Sequence, residues 1–370
     1  MYKQVKTIVL TGGPCSGKTT GLSTIEQELS NRGYYVMVVP ETATELISTG
    51  IRPFGNSLDL LQFQYVVFKK QLQKEELYRN VAYNMLPAEK IVIVHDRGII
   101  DNKSYVSQKQ FEEILSHFST NEVEARDRYD AVFHLVTAAD GAEQYYTLAN
   151  NNARTETPEE AIALDRRGIS NWTGHCHLRV IDNSTDFQCK MDRLMNEIYS
   201  FLGEPVPLEI ERKYLIQMPS LNLLAKYTTI TSVDIVQMYL KASNGVERRI
   251  RQRGQDGNFS YYLTEKREVN SLKRVEVEKK ISEKEYLRYL SEVDSSTSPI
   301  TKKRVCFVYD KQYFEIDMFD FSDDLALLEI ELTSENSTVR IPTFIKVVKE
   351  VTDNPNFRNY NLAKSQRFLL

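Results

Sequence analysis

Apolar positions fall into two rhythms along this chain. In the first half, short continuous apolar runs alternate with longer stretches at helical spacing. The runs are Thr7 to Leu10, Tyr34 to Val39, Ile91 to Val94, Ala131 to Val136 and Leu178 to Ile181. Between them, Leu22, Ile25 and Leu29 recur at helical intervals. A long helical pattern covers about 58–86, helices fill roughly 108–126, and another helix runs up to Leu202. Apolar runs without alternation are buried on both faces, so this half predicts a parallel sheet covered by helices. Ligands then bind at the carboxyl ends of the strands. Those ends carry Gly12-Gly13-Pro14, Pro40-Glu41-Thr42 and His95-Asp96-Arg97-Gly98.

Gly203-Glu204-Pro205-Val206-Pro207 breaks the last helix, and strands then follow strands. Here charged and apolar residues alternate, as they do along a strand with one face buried. Glu209, Glu211 and Lys213 share one face; Arg249, Arg251 and Arg253 share another. Tyr262, Thr264 and Lys266 group together, as do Glu276 and Glu278, then Lys302 and Arg304, Glu315 and Asp317, and Glu329 and Glu331. The last two strands are wholly apolar opposite: Phe314, Ile316, Met318, then Leu328, Ile330, Leu332. A single amphipathic strand ordinarily turns charge to water. These faces also sort by sign, which opens a second arrangement: a closed sheet whose lumen has cations on one side and carboxylates on the other. Arginines there would grip phosphate oxygens in bidentate fashion, and carboxylates would hold divalent metal against the remaining oxygens. Without a ligand, like charges would repel, and water and counterions would fill the space.

A length of 370 residues favours two domains. The change of rhythm puts them at 1–203 and 204–370: an α/β unit with a parallel sheet, then an antiparallel β unit. The net charge of −4 argues against a general nucleic-acid binder. Cys15, Cys176, Cys189 and Cys306 are scattered, as reduced thiols of a cytoplasmic protein are. A strand beginning by about Val5 leaves no room for a signal peptide, and no apolar run approaches the roughly 20 residues of a membrane-spanning helix.

The most specific chemistry is at the first strand. Gly12, Gly17, Lys18 and Thr19 fit G-x-x-x-x-G-K-[ST] between a strand and a helix. Gly12, Gly13, Pro14, Cys15, Ser16, Gly17, Lys18, Thr19 and Thr20 would wrap the phosphates of ATP or GTP. Lys18 would reach the outer phosphates, and the Thr19 hydroxyl would ligate Mg²⁺ or Mn²⁺. Asp96 is placed to hold that metal, or alternatively to cap a helix from Arg97. Glu41 reads as a base or substrate contact, or as an acid complementing a helix dipole. Arg97 would bind substrate or phosphate, or pair with Asp101. The polar stretch 150–168 has the position of a mobile lid. Arg154, Arg166 and Arg167 would be its arginines, a solvated charged helix being the plainer reading. His175-Cys176-His177 is a weak metal signal.

Four stretches of the first half resemble the NadR-like P-loop family, relatives of nucleoside and nucleotide kinases: GGPCSGKTT (12–20), the PET turn (40–42), HDRG with Asp101, and VIDNSTDF (180–187). That resemblance puts Asn183 near the nucleotide base. No N/T-K-x-D box is present, because Tyr105 stands where its Asp would be, so purine choice is not readable. The second half resembles the CYTH family of triphosphate tunnel metalloenzymes through the ExExK set Glu209, Glu211 and Lys213, the alternating arginines, the Thr264–Lys266 strand and RNYNLA at 358–363. It implies an eight-stranded antiparallel tunnel acting on triphosphates with Mg²⁺ or Mn²⁺. Glu209, Glu211, Asp317, Glu329 and Glu331 would be on metal or water. Lys213, Arg249, Arg251, Lys266 and Arg304 would be on phosphates. The two halves in this order resemble the TRPL-translocation-defect family, regulators that bind guanine nucleotide and phosphoinositides. Three expectations therefore compete: a P-loop phosphotransferase or NTPase fused to a triphosphate-cleaving tunnel, a nucleotide-switched binder of phosphorylated ligands, and a scaffold with degenerate sites.

Overall fold

The computed structural model describes residues 4–55, 57–146, 157–204, 210–243, 246–270, 273–332 and 337–369. Two compact units emerge, Met1–Met195 and Asn196–Leu370. The expected change of architecture at 203/204 follows the end of a helix, Phe187–Leu202, that runs past this division.

The first unit contains β1 (Gln4–Gly12), α1 (Lys18–Asn31), β2 (Tyr35–Val39), α2 (Thr42–Ser48), α3 (Leu60–Asn80), β3 (Lys90–Asp96), α4 (Gln108–His117), α5 (Glu122–Arg126), β4 (Ala131–Leu135), α6 (Pro158–Trp172), β5 (Leu178–Ile181) and the first part of α7 (Phe187–Leu202). Its sheet is parallel, in the order β2-β3-β1-β4-β5. Ile8, Val9 and Leu10 of the central strand are wholly buried, as are Val92 and Val94 of β3 and Val132 and Phe133 of β4. The long helical pattern of 58–86 ends as α3 at Asn80 and continues as a wider π turn, Val81–Met85. A 3-10 turn, Ile99–Tyr105, follows β3. Its leading residue is Gly98, so Asp96 does not cap it.

Register sets the site. Leu10 pairs with Asp96 and Gly12 with Leu135, so the loop after β1 opens beside the carboxyl ends of β3 and β4. No side chain caps α1, which starts directly from Gly17. The first turn of α1 therefore opens directly onto the loop, at the end of a helix where backbone N–H groups have no intrahelical acceptor.

The second unit contains β6 (Ile210–Gln217), α8 (Leu221–Tyr227), β7 (Ile230–Ser243), β8 (Val246–Gln255), β9 (Asn258–Asn270), β10 (Lys273–Ile281), α9 (Glu283–Tyr289), β11 (Ile300–Tyr309), β12 (Gln312–Phe319), β13 (Leu325–Leu332), β14 (Val347–Glu350) and α10 (Asn359–Ser365). Among the described residues these strands make one sheet, β10-β9-β8-β7-β11-β12-β13-β6-β14, with antiparallel pairing throughout. The strands β6 to β13 are long, and β14 adds four residues at one edge. The longest strand, β7, has no charge alternation to announce it. Val233, Ile235, Gln237 and Tyr239 occupy the face that carries charge on its neighbours.

The two faces of this sheet are chemically opposite. Tyr214, Ile216, Val305, Phe307, Phe314, Ile316, Leu328 and Ile330 form one apolar core with Leu224 of α8 and Ile345. The other face carries Lys213, Arg304, Asp317 and Glu329, one strand position away. Along each of these strands the charge gives way at one end to apolar residues. Leu215, Ile300, Phe319 and Leu327 there pack with Tyr239 against Phe357, Leu362 and Ala363 of the C-terminal segment. At the opposite end Glu211 and Glu331 pair across β6 and β13, and Glu331 is exposed.

Candidate functional site

In the first unit the loop between β1 and α1 is held by contacts on several sides. Gly12 (φ +147°), Cys15 (φ +54°) and Gly17 (φ +93°) supply the turn. Only glycine fits at Gly12, because an added Cβ would lie 2.1 Å from the Leu135 carbonyl oxygen. Lys18 Nζ donates to the carbonyls of Gly12 and Gly13 at 3.0 and 3.1 Å. Asp165 of α6 accepts from Gly13 N at 2.8 Å and Thr137 N at 3.1 Å, and meets His134 Nε2 at 3.0 Å. The Pro14 carbonyl accepts from Thr137 Oγ1, the Cys15 carbonyl from Ala138 N, and the Ser16 carbonyl from Lys190 Nζ. Thr19 and Thr20 are exposed on the first turn of α1.

Asp96, Glu41 and Arg97 come together beside this loop. Arg97 Nε meets Glu41 Oε1 at 2.7 Å; Glu41, rather than Asp101, is its partner. Asp101 instead accepts from Thr11 Oγ1, Trp172 Nε1 and Gly98 N, tying the turn after β3 to β1 and α6. Arg97 adopts φ +67°, a left-handed conformation costly for a side-chain-bearing residue and common at ligand sites. Burial pushes Asp96 up to about 6, reinforced by the neighbouring Glu41 and relieved in part by Lys18 and Arg97. Asp96 Oδ1 is buried without a hydrogen-bond partner. An orphan carboxylate oxygen next to a phosphate loop fits a divalent cation, whose charge would offset the burial cost.

Burial alone would raise Glu41, but Arg97, Lys18 and the Thr44 hydroxyl outweigh it and bring the carboxyl down to about 2 from 4.5. Such a group contributes stability above its unfolded value, and that contribution is lost as pH falls through its folded one. The first unit should therefore lose stability as pH drops from about 4.5 toward 2. Urea titrations of Glu41→Gln should show a shallower loss over that window. An unchanged slope would show that the Arg97 pair adds nothing to stability.

The lid arginines divide. Arg167 Nη1 donates to the Ser104 carbonyl at 2.9 Å, Arg166 is exposed on α6, and Arg154 lies outside the described residues. Asn183 braces the chain after β4. It donates to the carbonyls of Thr137 and Asp140, both at 2.7 Å, and accepts from Lys190. His175 is fully buried, contacting the Tyr129 carbonyl and accepting from His177 N. His175 is thus a core histidine, and among the described residues this segment joins no group of three metal-ligating side chains.

The charged face of the second unit neutralises itself locally rather than across a gap. Lys213 lies 3.0 Å from Glu329 and 3.3 Å from Glu211, and these carboxylates hold its pKa above the ordinary lysine value against burial. Arg304 meets Asp317 through Nε and Nη2 at 2.6 and 2.8 Å, Glu329 at 2.9 Å, and Glu315 as well. Lys302 also reaches Asp317, whose carboxylate is thus engaged by cations on both oxygens. Arg251 Nη2 donates to both oxygens of Glu278, at 2.7 and 2.9 Å, and Thr264 Oγ1 adds a bond at 3.0 Å. The expectation of cations on one side and carboxylates on the other, with like charges repelling, is corrected here, because basic β11 lies directly beside acidic β12 and opposite charges interleave. In backbone register Arg249 pairs with Thr264, and Lys266 with Glu276. Among the described residues no three His, Cys, Asp or Glu side chains gather as a metal-ligand set. Glu209 lies outside them.

Sequence reasoning missed Lys190 and Asp165, and the signal it could have used is the same for both. Each is a charge on the apolar stripe of its helix, Lys190 beside Met191 and Leu194, Asp165 among Ala161, Gly168 and Trp172. A buried charge needs partners from elsewhere in the fold.

Fold and site together define a phosphate-loop α/β unit followed by an antiparallel sheet with one polyionic face. Residues 7–190 match the sequence family described as an AAA domain. Among proteins of curated function no match is found. The crystal structure of the inorganic triphosphatase NE1496 aligns at 27% identity over 42% of this chain and 95% of that one, with a TM-score of 0.31. A conserved hypothetical protein of Pyrococcus furiosus aligns at 18% identity over 33% and 78%, TM-score 0.26. A Pyrococcus horikoshii protein aligns at 15% identity over 34% and 80%, TM-score 0.28. No described helix is long and apolar enough to cross a membrane.

Proposed function

We propose that the first unit binds a nucleoside triphosphate with a divalent metal, as an NTPase or phosphotransferase, and that the second binds and cleaves triphosphate-containing substrates. The observation that carries the first part is the convergence of the glycine-shaped loop, Lys18, and the unpartnered Asp96 oxygen. Thr19 and Asp96 would hold the metal, Glu41 and Arg97 would face the transferred group, and Arg166 and Arg167 belong to the helix beside it. ATP and GTP are both candidates.

For the second unit the supporting observation is the interleaved polyionic face. Lys213, Arg249, Arg251, Lys266 and Arg304 are the phosphate ligands. Glu211 and Glu331, at the exposed end, are the metal ligands with Glu209. A metal there would supply charge to the phosphate oxygens and an activated water. Asp317 and Glu329 were expected in that set. Their ion pairs suit them better to orienting Arg304 and Lys213. A phosphoinositide head group could use the same cations without turnover, which is the alternative reading.

The deciding experiment is phosphate release from inorganic triphosphate, ATP and GTP with Mg²⁺ or Mn²⁺, in wild type, Lys18→Ala and Glu211→Ala. We expect triphosphate cleavage to survive Lys18→Ala and to be lost in Glu211→Ala. Binding of nucleotides and inositol phosphates without any cleavage would replace the enzyme reading by the regulatory one.

A further inference from the structure

The phosphate loop is pinned from outside by residues far along the chain. In a trans peptide the carbonyl and the following N–H point in opposite directions. Thr137 Oγ1 holds the Pro14 carbonyl, Ala138 N holds that of Cys15 at 3.3 Å, and Lys190 Nζ holds that of Ser16 at 3.0 Å. The N–H groups of Cys15, Ser16 and Gly17 are therefore turned the other way, toward the inside of the loop. Successive N–H groups turned to one side make an anion-binding concavity.

Lys190 is the charged member of this set. Its ammonium is almost wholly buried, and it donates to the carbonyls of Ser16 and Val136 and to Asn183 Oδ1, at 3.0, 2.8 and 2.7 Å. These three acceptors match its three protons. Asn183 in turn holds the carbonyls of Thr137 and Asp140. One side chain thus joins the phosphate loop, the end of β4 and the chain after β5.

We propose that Lys190 is a positioning residue for phosphate binding: it fixes the Ser16–Gly17 peptide so that the Gly17 N–H faces the ligand. The proposal rests on the reading of this loop as a nucleotide site. A neutral side chain at 190 would release the Ser16 carbonyl and leave it buried without its partner, so the peptide could rotate and the Gly17 donor would be lost to the phosphate.

Affinity should also follow the charge on Lys190. Burial brings this lysine down to about 8, with Arg193 and Lys18 acting in the same direction and Asp165 and Asp182 opposing. Above that pH the ammonium loses a proton and one of its bonds. An arginine would keep its charge throughout.

The test uses the full chain with Mg-ATP and Mg-GTP, by calorimetry. The difference between wild type and Lys18→Ala defines binding at the loop. That share should weaken about tenfold or more in Lys190→Met and change little in Lys190→Arg. In wild type it should weaken as pH rises through about 8, and Lys190→Arg should flatten that profile. The wild-type profile stands even if Lys190→Met fails to fold. Unchanged affinity in a folded Lys190→Met, or the same pH profile for wild type and Lys190→Arg, would overturn the role of Lys190. Absence of any binding removed by Lys18→Ala would instead overturn the nucleotide reading of the loop, and the proposal with it.

Discussion

Replacing Arg304 by alanine is expected to destabilise the second unit by about 3–5 kcal/mol and to end triphosphate cleavage there. The guanidinium sits among Asp317, Glu329 and Glu315, and only about an eighth of its side chain is exposed. Removing it leaves buried carboxylates without their main countercharge, which costs more than the pair itself was worth. Lys302 would still hold Asp317, and Lys213 would still hold Glu329, so folding need not fail outright. Glu315 would suffer most. Burial already raises its pKa, with Glu331, Asp317 and Glu329 adding to the rise and Arg304 opposing it. An acid whose folded pKa stands above its unfolded value gains relative stability as pH falls. Without Arg304 that rise should be larger, so the alanine variant should recover more stability than the wild type as pH falls toward the ordinary carboxylate range. Arg304→Lys should keep part of the stability but lose the fork that meets Asp317 through two nitrogens. Urea denaturation against pH, followed by phosphate release, checks both parts. A loss below about 1 kcal/mol, the scale of an exposed ion pair, would show that water reaches this cluster freely.

Gly12→Ala is expected to cost the first unit about 2–5 kcal/mol and to abolish nucleotide binding at the loop, through backbone strain plus overpacking. Gly12 closes β1 at φ +147°, outside what side-chain-bearing residues adopt. Its missing Cβ would lie 2.1 Å from the Leu135 carbonyl oxygen and 2.8 Å from Ser16 Oγ. The first contact is backbone of the neighbouring strand and cannot turn aside. β1 and β4 would have to part where Gly12 and Leu135 are in register, at the mouth of the loop. Gly33→Ala is the control. It shares a positive φ, +82°, but nothing lies within 4 Å of its Cβ position, so it should lose only about 1 kcal/mol. Thermal unfolding and nucleotide affinity of the two variants separate conformational strain from collision. Equal losses would mean that the collision is relieved at no cost.

Parity explains how much of the second unit was readable. Side chains alternate along a strand, so assigning Lys302 and Arg304, or Glu329 and Glu331, to one face needs only their spacing. The structure keeps those groupings on its charged face. Which cation meets which carboxylate was not readable, because pairing between strands sets it. Lys213 stands opposite Glu329 only through the register of β6 against β13. The apolar end of that face was equally hidden. It forms where Leu215, Phe319 and Leu327 meet the C-terminal segment, far away in sequence.

In the first unit the chain by itself determined the phosphate loop, because its backbone turns need glycine at Gly12 and Gly17 and its start and stop signals are local. It determined the parallel sheet as well, since strands buried on both faces can only be continuous apolar runs. Tertiary structure alone decided what surrounds the loop. Arg97 turns to Glu41, from the next strand end, while Trp172 takes part of Asp101. Lys190 reaches Ser16 across 174 positions of sequence. Such a contact has no local signature beyond a charge on an apolar helical stripe, because its partner is a backbone carbonyl, which every residue carries.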